Sequence, residues 1–302
     1  MMIDMHTHPF GAPSHRDLSD KIRTVADLVG FRRKYPDLYN ARLTEEFVDF
    51  SDELVGDMDC HGVRKALIQP TGGRGTNDLV AATVGKHPGR LVGLFRIGHD
   101  QEAAGYVDDP EPIRRAAPEQ IAYCVEKLGL KGMGELMIRA FTTELHPERI
   151  AKDLKPVMEA ITDFRIPMMI PTGWSQFPGH LYFSDPTYVD EIAGRYPDVP
   201  IILTKMGRGI EHYFEASLAV AMRNANVYFD TVTTTAAHLR RAVDTIGASR
   251  IMFGTDWSPT WRLVREPADL YTLRLRPIRE AGLSEEDTQQ ILSRTAGQLF
   301  QV

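Results

Sequence analysis

A chain of 302 residues with 43% hydrophobic composition can bury a sizeable core, as one large α/β domain or as two smaller ones. Its net charge of -6, with both signs interspersed, excludes the basic stripe that nucleic-acid binding needs, so the expected partner is a small molecule. Cys60 and Cys124 are the only cysteines, which excludes a disulfide framework or thiolate cluster and fits a reducing compartment. No basic-then-apolar leader opens the chain, and no run reaches the roughly 18 apolar residues of a membrane span. A soluble, cytoplasmic protein with no membrane partner is expected.

The first predicted element is an apolar strand through Met1, Met2, Ile3, Asp4 and Met5 that runs into His6, Thr7 and His8. Alternate side chains of a strand point the same way, so His6 and His8 aim two imidazoles into one space, a ready metal chelate. Residues Pro9 to Arg42 are too irregular for one element and long for a simple loop, as lids and binding loops are. A helix carrying Phe47, Phe50, Leu54 and Met58 follows, then a strand from Lys65 to Gln69. The unit recurs with a helix from Asn77 to Lys86 and a strand from Leu91 to Ile97.

Pro118 to Leu128 is predicted helical, opening on the proline, and Gly129 ends it. The remaining strands are Leu130 to Met137, Ile166 to Pro171, Val199 to Lys205, Asn226 to Thr231 and Arg250 to Asp256. Helices from Pro147 to Phe164, from Asp185 to about Tyr196, from Ile210 to Asn224 and from Ala236 to Ile246 separate them. Two more helices close the chain, the last opening at Ser284 with Asp287 three residues on, a capping-box pattern. Strands alternating with helices, mostly as short continuous apolar runs, indicate a parallel sheet covered on both faces. Eight such strands match a single (β/α)8 TIM barrel over 1-302, with an inserted loop after the first strand and C-terminal helices. A doubly wound open sheet competes, but the first strand lacks the glycine-rich turn of dinucleotide folds.

Chemistry in a barrel collects at the carboxyl ends of the strands. His6 and His8 stand there on the first strand, Glu135 near the end of the fourth, Lys205 on the sixth and Asp256 on the eighth. Arg96 and His99 close the third strand and suit a substrate carboxylate. Trp174 and Trp257 follow the fifth and eighth strands as pocket or core aromatics, and Asp230 and Thr231 on the seventh are placed for substrate contact. A carboxylate at Glu135 in an apolar strand needs a partner, either an arginine or a metal. His15, His61, His87, His146, His212 and His238 fall in loops or helices and are expected to be structural or on the surface.

The opening Ile-Asp-Met-His-Thr-His-Pro, the Arg-Ile-Met-Phe-Gly-Thr-Asp-Trp at 250 to 257 and the closing Leu-Ser-Glu-Glu-Asp through Ile291 to Phe300 resemble the amidohydrolase superfamily. More narrowly they resemble its amidohydrolase-related branch, which includes aminocarboxymuconate semialdehyde decarboxylase, resorcylate-type decarboxylases and lactone hydrolases. The resemblance implies His6 and His8 as ligands of one divalent metal, Zn2+ or else Mn2+, and Asp256 as ligand or general base. It also implies hydrolysis or non-oxidative decarboxylation of a small carboxylated or cyclic substrate, and a homodimer. Two of the family's histidines are replaced, by Pro171 at the fifth strand and by Lys205 at the sixth. A frequent Asn-Ala pair near the C-terminus reads Thr295, Ala296.

Three accounts follow from that loss. Glu135 completes a metal site with His6, His8 and Asp256, or His180 or His99 reaches in from a loop as the missing donor. In the third, the site is metal-free, with Lys205 pairing with Asp256 for acid/base or Schiff-base chemistry. A protonated lysine a few Å from a dication is repelled by several kcal/mol even at an effective dielectric near 20, so ion and ammonium compete. A degenerate barrel without turnover, used for binding, is the reading from another class.

Overall fold

Continuous apolar segments form parallel strands when both faces are covered, and the protein places its short hydrophobic runs in that setting. The computed structural model describes residues 1–70, 76–98, 108–173 and 180–302, with the side chains of residues 42, 43 and 180 outside that description. Its strands are β1 (Met2–Thr7), β2 (Phe10–Gly11), β3 (Val48–Asp49), β4 (Val63–Ile68), β5 (Leu91–Gly93), β6 (Met168–Pro171), β7 (Ile201–Thr204), β8 (Val227–Asp230) and β9 (Ile251–Met252). β1, β4 and β5 pair in parallel, as do β6, β7, β8 and β9.

The two parallel sheets join into a ring. Single parallel bridges link Phe95 to Met133 and Met133 to Met168, so the stretch around Met133 serves as the fourth stave. A further bridge, Thr7 to Trp257, with the Met5 amide donating to the Phe253 carbonyl at 2.9 Å, joins the last stave to the first. The result is a (β/α)8 barrel. Ile3, Met5, Leu67, Leu94, Met169, Ile202 and Met252 fill its interior and are plugged by Ala296 and Phe300. The larger core lies between the staves and the surrounding helices.

One irregularity in β1 matters for the site. Asp4 pairs with Ala66 and Thr7 with Ile68, so Met5 and His6 together face the single residue Leu67. Such a bulge switches the facing of all later residues by one. Met5 belongs to the interior cluster, and unbroken alternation would turn His6 away from it. The extra residue brings His6, and with it His8, back over the interior.

Four expectations are corrected. Residues after His8 are not one loop: β2 pairs antiparallel with β3, and helices Val25–Lys34 and Pro36–Thr44 lie between them. Thr24 caps the first of these with Asp27 in a reciprocal capping box, yet only Phe31 of that helix is buried, too little for a visible periodic stripe. The helix expected from Pro118 to Leu128 instead begins at Glu111 with the proline inside, running Glu111–Ala122 and on as a π-helical turn Tyr123–Lys127, because Ile113, Ala117 and Ile121 bury one continuous face through it. The helix expected from Pro147 breaks at Leu154 into Pro147–Asp153 and Lys155–Phe164, since Pro156 has no amide to bond back into the preceding turn. The strand expected from Leu130 is held by single bridges rather than a regular ladder. Helices Asn77–Lys86 and Ala236–Ile246 keep their expected limits, and Ser284 caps the Asp287 amide. Among the described residues, no helix is long and apolar enough to cross a membrane.

Candidate metal centre

Three local devices set the site at the carboxyl ends of the staves. The β1 bulge presents His6 and His8. Buried Asp4, on the outer face of β1, then clasps the last stave: it accepts from the Thr255 hydroxyl at 2.6 Å, the Thr255 amide at 3.0 Å and the His6 amide at 3.2 Å. Burial pushes the Asp4 carboxyl up to about 6 even though Thr255 and His6 donate to it. Asp256 follows in the left-handed region, φ 59°, a conformation that costs a non-glycine residue about 1–2 kcal/mol and turns its carboxylate back toward the histidines.

These devices bring three expected donors together. His6 Nε2 lies 3.1 Å from His8 Nε2, and Asp256 Oδ1 lies 3.4 Å from the first and 3.3 Å from the second. The fully buried Asp230 accepts the His6 Nδ1–H at 2.6 Å, which leaves the lone pair of neutral His6 on Nε2, facing the other donors. Burial and Lys205 push the His6 pKa down, but Glu135 and Asp230 outweigh them and it ends above the ordinary value. For Asp256, burial raises the carboxyl, while Lys205 and the bond from His8 hold it well below the usual range. It stands as a carboxylate.

Lys205 occupies the sixth stave's end and is almost fully buried. Its amide donates to Asp230 Oδ1 at 2.6 Å, and its ammonium reaches Glu135 Oε1 at 2.5 Å, with His6 Nε2 at 3.4 Å and Asp256 Oδ2 at 3.6 Å. Residues 205 to 208 all have positive φ. Glycine is required at one of them, because a Cβ on Gly207 would collide with the backbone of Tyr213 and Phe214. Strain of this kind persists only where the surroundings over-determine it.

Glu135 is oriented from below and beside. Its amide donates at 2.8 Å to Gln69 Oε1, an atom that any Cβ on Gly134 would strike, and the Thr204 hydroxyl donates to its Oε1 at 2.7 Å. Its partner is the lysine, neither of the two foreseen. Burial raises this carboxyl, but Lys205, His6 and His8 bring it far below the ordinary value. It stays 3.7 Å from His6 Nε2 and 3.8 Å from His8 Nε2, outside the three-donor group.

The other expected residues divide. Arg96 is buried, with its backbone clasped by Asn77 at 2.8 and 2.9 Å. Burial lowers its guanidinium to about 10 while nearby Glu135 supports the charge, so it remains a cation at neutral pH. Asp230 is wholly engaged by His6, Lys205 and the Val232 amide, which makes it a holder of the site rather than a substrate contact. Trp257 packs in the core, its indole N–H bonded to Asp57 at 2.9 Å, and does not line a pocket. His99, Trp174 and the side chain of His180 lie outside the described residues. His238, expected to be structural, stacks on Phe214.

Sequence reading did not single out Asp4, Thr204 or Asn77. A carboxylate in the middle of the apolar run at Asp4 was the available signal.

The donor set fits a metal ion. Ligands bound at about 2.0–2.1 Å stand about 3.0–3.4 Å from each other, the spacing these three atoms have. Two imidazole nitrogens facing each other at 3.1 Å otherwise need a proton between them. His8 Nδ1 is buried and has no hydrogen-bond partner among the described residues, so no carboxylate fixes that ring through Nδ1 as Asp230 fixes His6.

A closed barrel with this His-x-His pair on its first stave and a carboxylate on its last defines the class: a TIM barrel whose chemistry sits on a histidine and carboxylate cluster. The chain belongs to the amidohydrolase family, whose model matches residues 3–302. It is 24% identical to a gamma-resorcylate decarboxylase of a Polaromonas species, over 92% of this chain and 95% of that protein. Among solved structures it resembles 5-carboxyvanillate decarboxylase from Sphingomonas paucimobilis, with a TM-score of 0.64 and 18% identity over 100% and 99% of the two chains. It also resembles a putative 2-pyrone-4,6-dicarboxylic acid hydrolase from Pseudomonas putida, with a TM-score of 0.62 and 19% identity over 99% and 97%.

Proposed function

We propose that the protein is a metal-dependent enzyme, one catalytic domain over residues 1–302, that hydrolyses or decarboxylates a small carboxylated or cyclic substrate. The observation that carries this is the facing of His6 Nε2, His8 Nε2 and Asp256 Oδ1 within 3.4 Å, with the other nitrogen of His6 held by Asp230. Those three atoms would hold the ion, and imidazole with carboxylate suits Zn2+ or Mn2+. When bound, a divalent ion supplies a Lewis acid that stabilises negative charge on the substrate.

The chain's own residues divide the remaining work. Asp256 turns Oδ1 to the histidines and Oδ2 to Lys205, so Oδ2 is the atom that accepts and returns a proton. Arg96 offers a buried cation, on a backbone clasped by Asn77, for a substrate carboxylate, and Lys205 adds a second positive charge beside Glu135. Asp230 fixes the His6 tautomer. The names of the similar proteins, two decarboxylases and a hydrolase, support the two reaction types without choosing between them.

Metal analysis of protein purified without added metal, followed by turnover assays with gamma-resorcylate, 5-carboxyvanillate and 2-pyrone-4,6-dicarboxylate, tests the proposal. About one Zn2+ or Mn2+ per chain, lost in His6→Ala and His8→Ala together with turnover, is the expected result. A second reading, metal-free chemistry on Lys205 with Asp256, is favoured by the burial of the ammonium within the cluster. Activity that survives both histidine changes and disappears in Lys205→Ala would sink the first reading in favour of the second. Borohydride trapping with substrate present should leave an adduct on Lys205 if that chemistry is a Schiff base.

A further inference from the structure

The donors at the site do not all face the same place. Among the described residues, Glu135 is the only carboxylate besides Asp256 within 4 Å of both histidine Nε2 atoms, yet both of its bonds at Oε1 come from elsewhere, from Lys205 Nζ and the Thr204 hydroxyl. The lysine is held in that place by its backbone: a left-handed φ of 71° and an N–H that donates a hydrogen bond to Asp230, the same carboxylate that orients His6. Its ammonium also stands 3.4 Å from His6 Nε2 and 3.6 Å from Asp256 Oδ2. A fixed positive charge therefore touches two of the three donors and occupies the fourth.

We propose that Lys205 is an affinity-setting residue that keeps Glu135 away from the ion and weakens its binding, so that the protein offers three side-chain donors and leaves the rest of the coordination sphere to other ligands. The inference rests on His6, His8 and Asp256 as the metal site. Two effects act in the same direction: the ammonium repels a dication placed among those donors, and it satisfies the carboxylate that would otherwise join them. Removing the charge frees Glu135, whose two oxygens already lie 3.7 and 3.8 Å from the histidine nitrogens.

Co2+ titration of the metal-free full-length chain, followed by calorimetry and by the visible absorption of the bound ion, tests this without an activity assay. Lys205→Met is expected to bind Co2+ at least tenfold more tightly than the wild type, with a changed absorption spectrum that reports the added oxygen donor. The double change Lys205→Met, Glu135→Gln should lose the spectral change and the part of the gain due to Glu135. Lys205→Gln keeps a donor toward Glu135 and drops the charge; it should also bind more tightly, and it covers a Lys205→Met chain that fails to fold. Equal or weaker binding by both single variants, or a double variant indistinguishable from Lys205→Met, overturns the proposal. Uptake by Lys205→Met but not by the wild type would sustain it and reject the metal-dependent function instead. Uptake by none of the chains would reject both.

Discussion

The His6 ring donates Nδ1–H to Asp230 Oδ2 at 2.6 Å, and the other oxygen of that carboxylate accepts the amide of Lys205 at 2.6 Å. One buried side chain thus fixes both the imidazole that faces the metal site and the backbone of the lysine that opposes it. Asp230→Asn keeps an oxygen for the lysine amide but offers His6 an N–H in place of an acceptor. Metal affinity should fall about 10- to 100-fold, the usual effect of losing such a partner, with little change in secondary structure. Calorimetric titration alongside circular dichroism checks both; an unchanged affinity would mean that His6 does not depend on Asp230 for its orientation.

The clasp between Asp4 and Thr255 should leave a signature in stability against pH. The folded-state pKa of Asp4 is raised to about 6 from 3.8, so between those values the folded chain holds a proton that the unfolded chain has released. Binding more protons in the folded state makes stability fall as pH rises, here through about pH 4 to 6 and by about 3 kcal/mol in total for this group. Asp4→Asn removes the titration. The stability difference between the two metal-free chains, from urea unfolding at pH 4 and pH 7, should therefore move by about that amount in favour of the variant as pH rises. A constant difference would show that folding leaves the Asp4 pKa unshifted.

Glycine at 207 is favoured by its φ of 75° and required by the backbone of Tyr213 and Phe214 against it, whereas Gly62, φ 71°, has open space around it. Gly62→Ala should cost about 1 kcal/mol, from the left-handed conformation alone. Gly207→Ala should cost about 2 kcal/mol or more beyond that, since the helix Glu211–Arg223 must shift, and the shift should also disturb Lys205. Denaturant midpoints of the two variants measure the contrast, and equal costs would remove the packing argument.

The two cysteines should react differently. Cys60 is exposed, while burial pushes the Cys124 thiol up to about 12, so almost none of it is thiolate at pH 8. Native protein should titrate with one equivalent of a disulfide reagent, and denatured protein with two. Two fast equivalents in the native chain would show that the helix around Cys124 opens readily.

The order of elements was legible in the sequence because burial on both faces writes itself as short apolar runs, and eight of those separated by helical stretches leave few architectures. His6, His8 and Asp256 could be singled out for the same reason: each follows an apolar run at the end where barrel chemistry collects. Proline inside the helix Glu111–Ala122 and the weakly buried helices between β2 and β3 were misread, since there tertiary burial, or its near absence, overrides local signals.

Partners were another matter. That Glu135 pairs with Lys205, that Asp230 serves His6, and that a bulge at Met5 and His6 returns the histidines to the interior all depend on staves far apart in the chain meeting at one mouth. By itself the sequence determined which chemical groups stand at the strand ends, because strand periodicity and apolar burial are local properties. Only the tertiary structure decided which of them touch, because hydrogen bonds and ion pairs are settled by distances of a few tenths of an ångström across the barrel. His6 and His8 were therefore readable as a pair, while the lysine opposite them acquired its meaning only once the barrel closed.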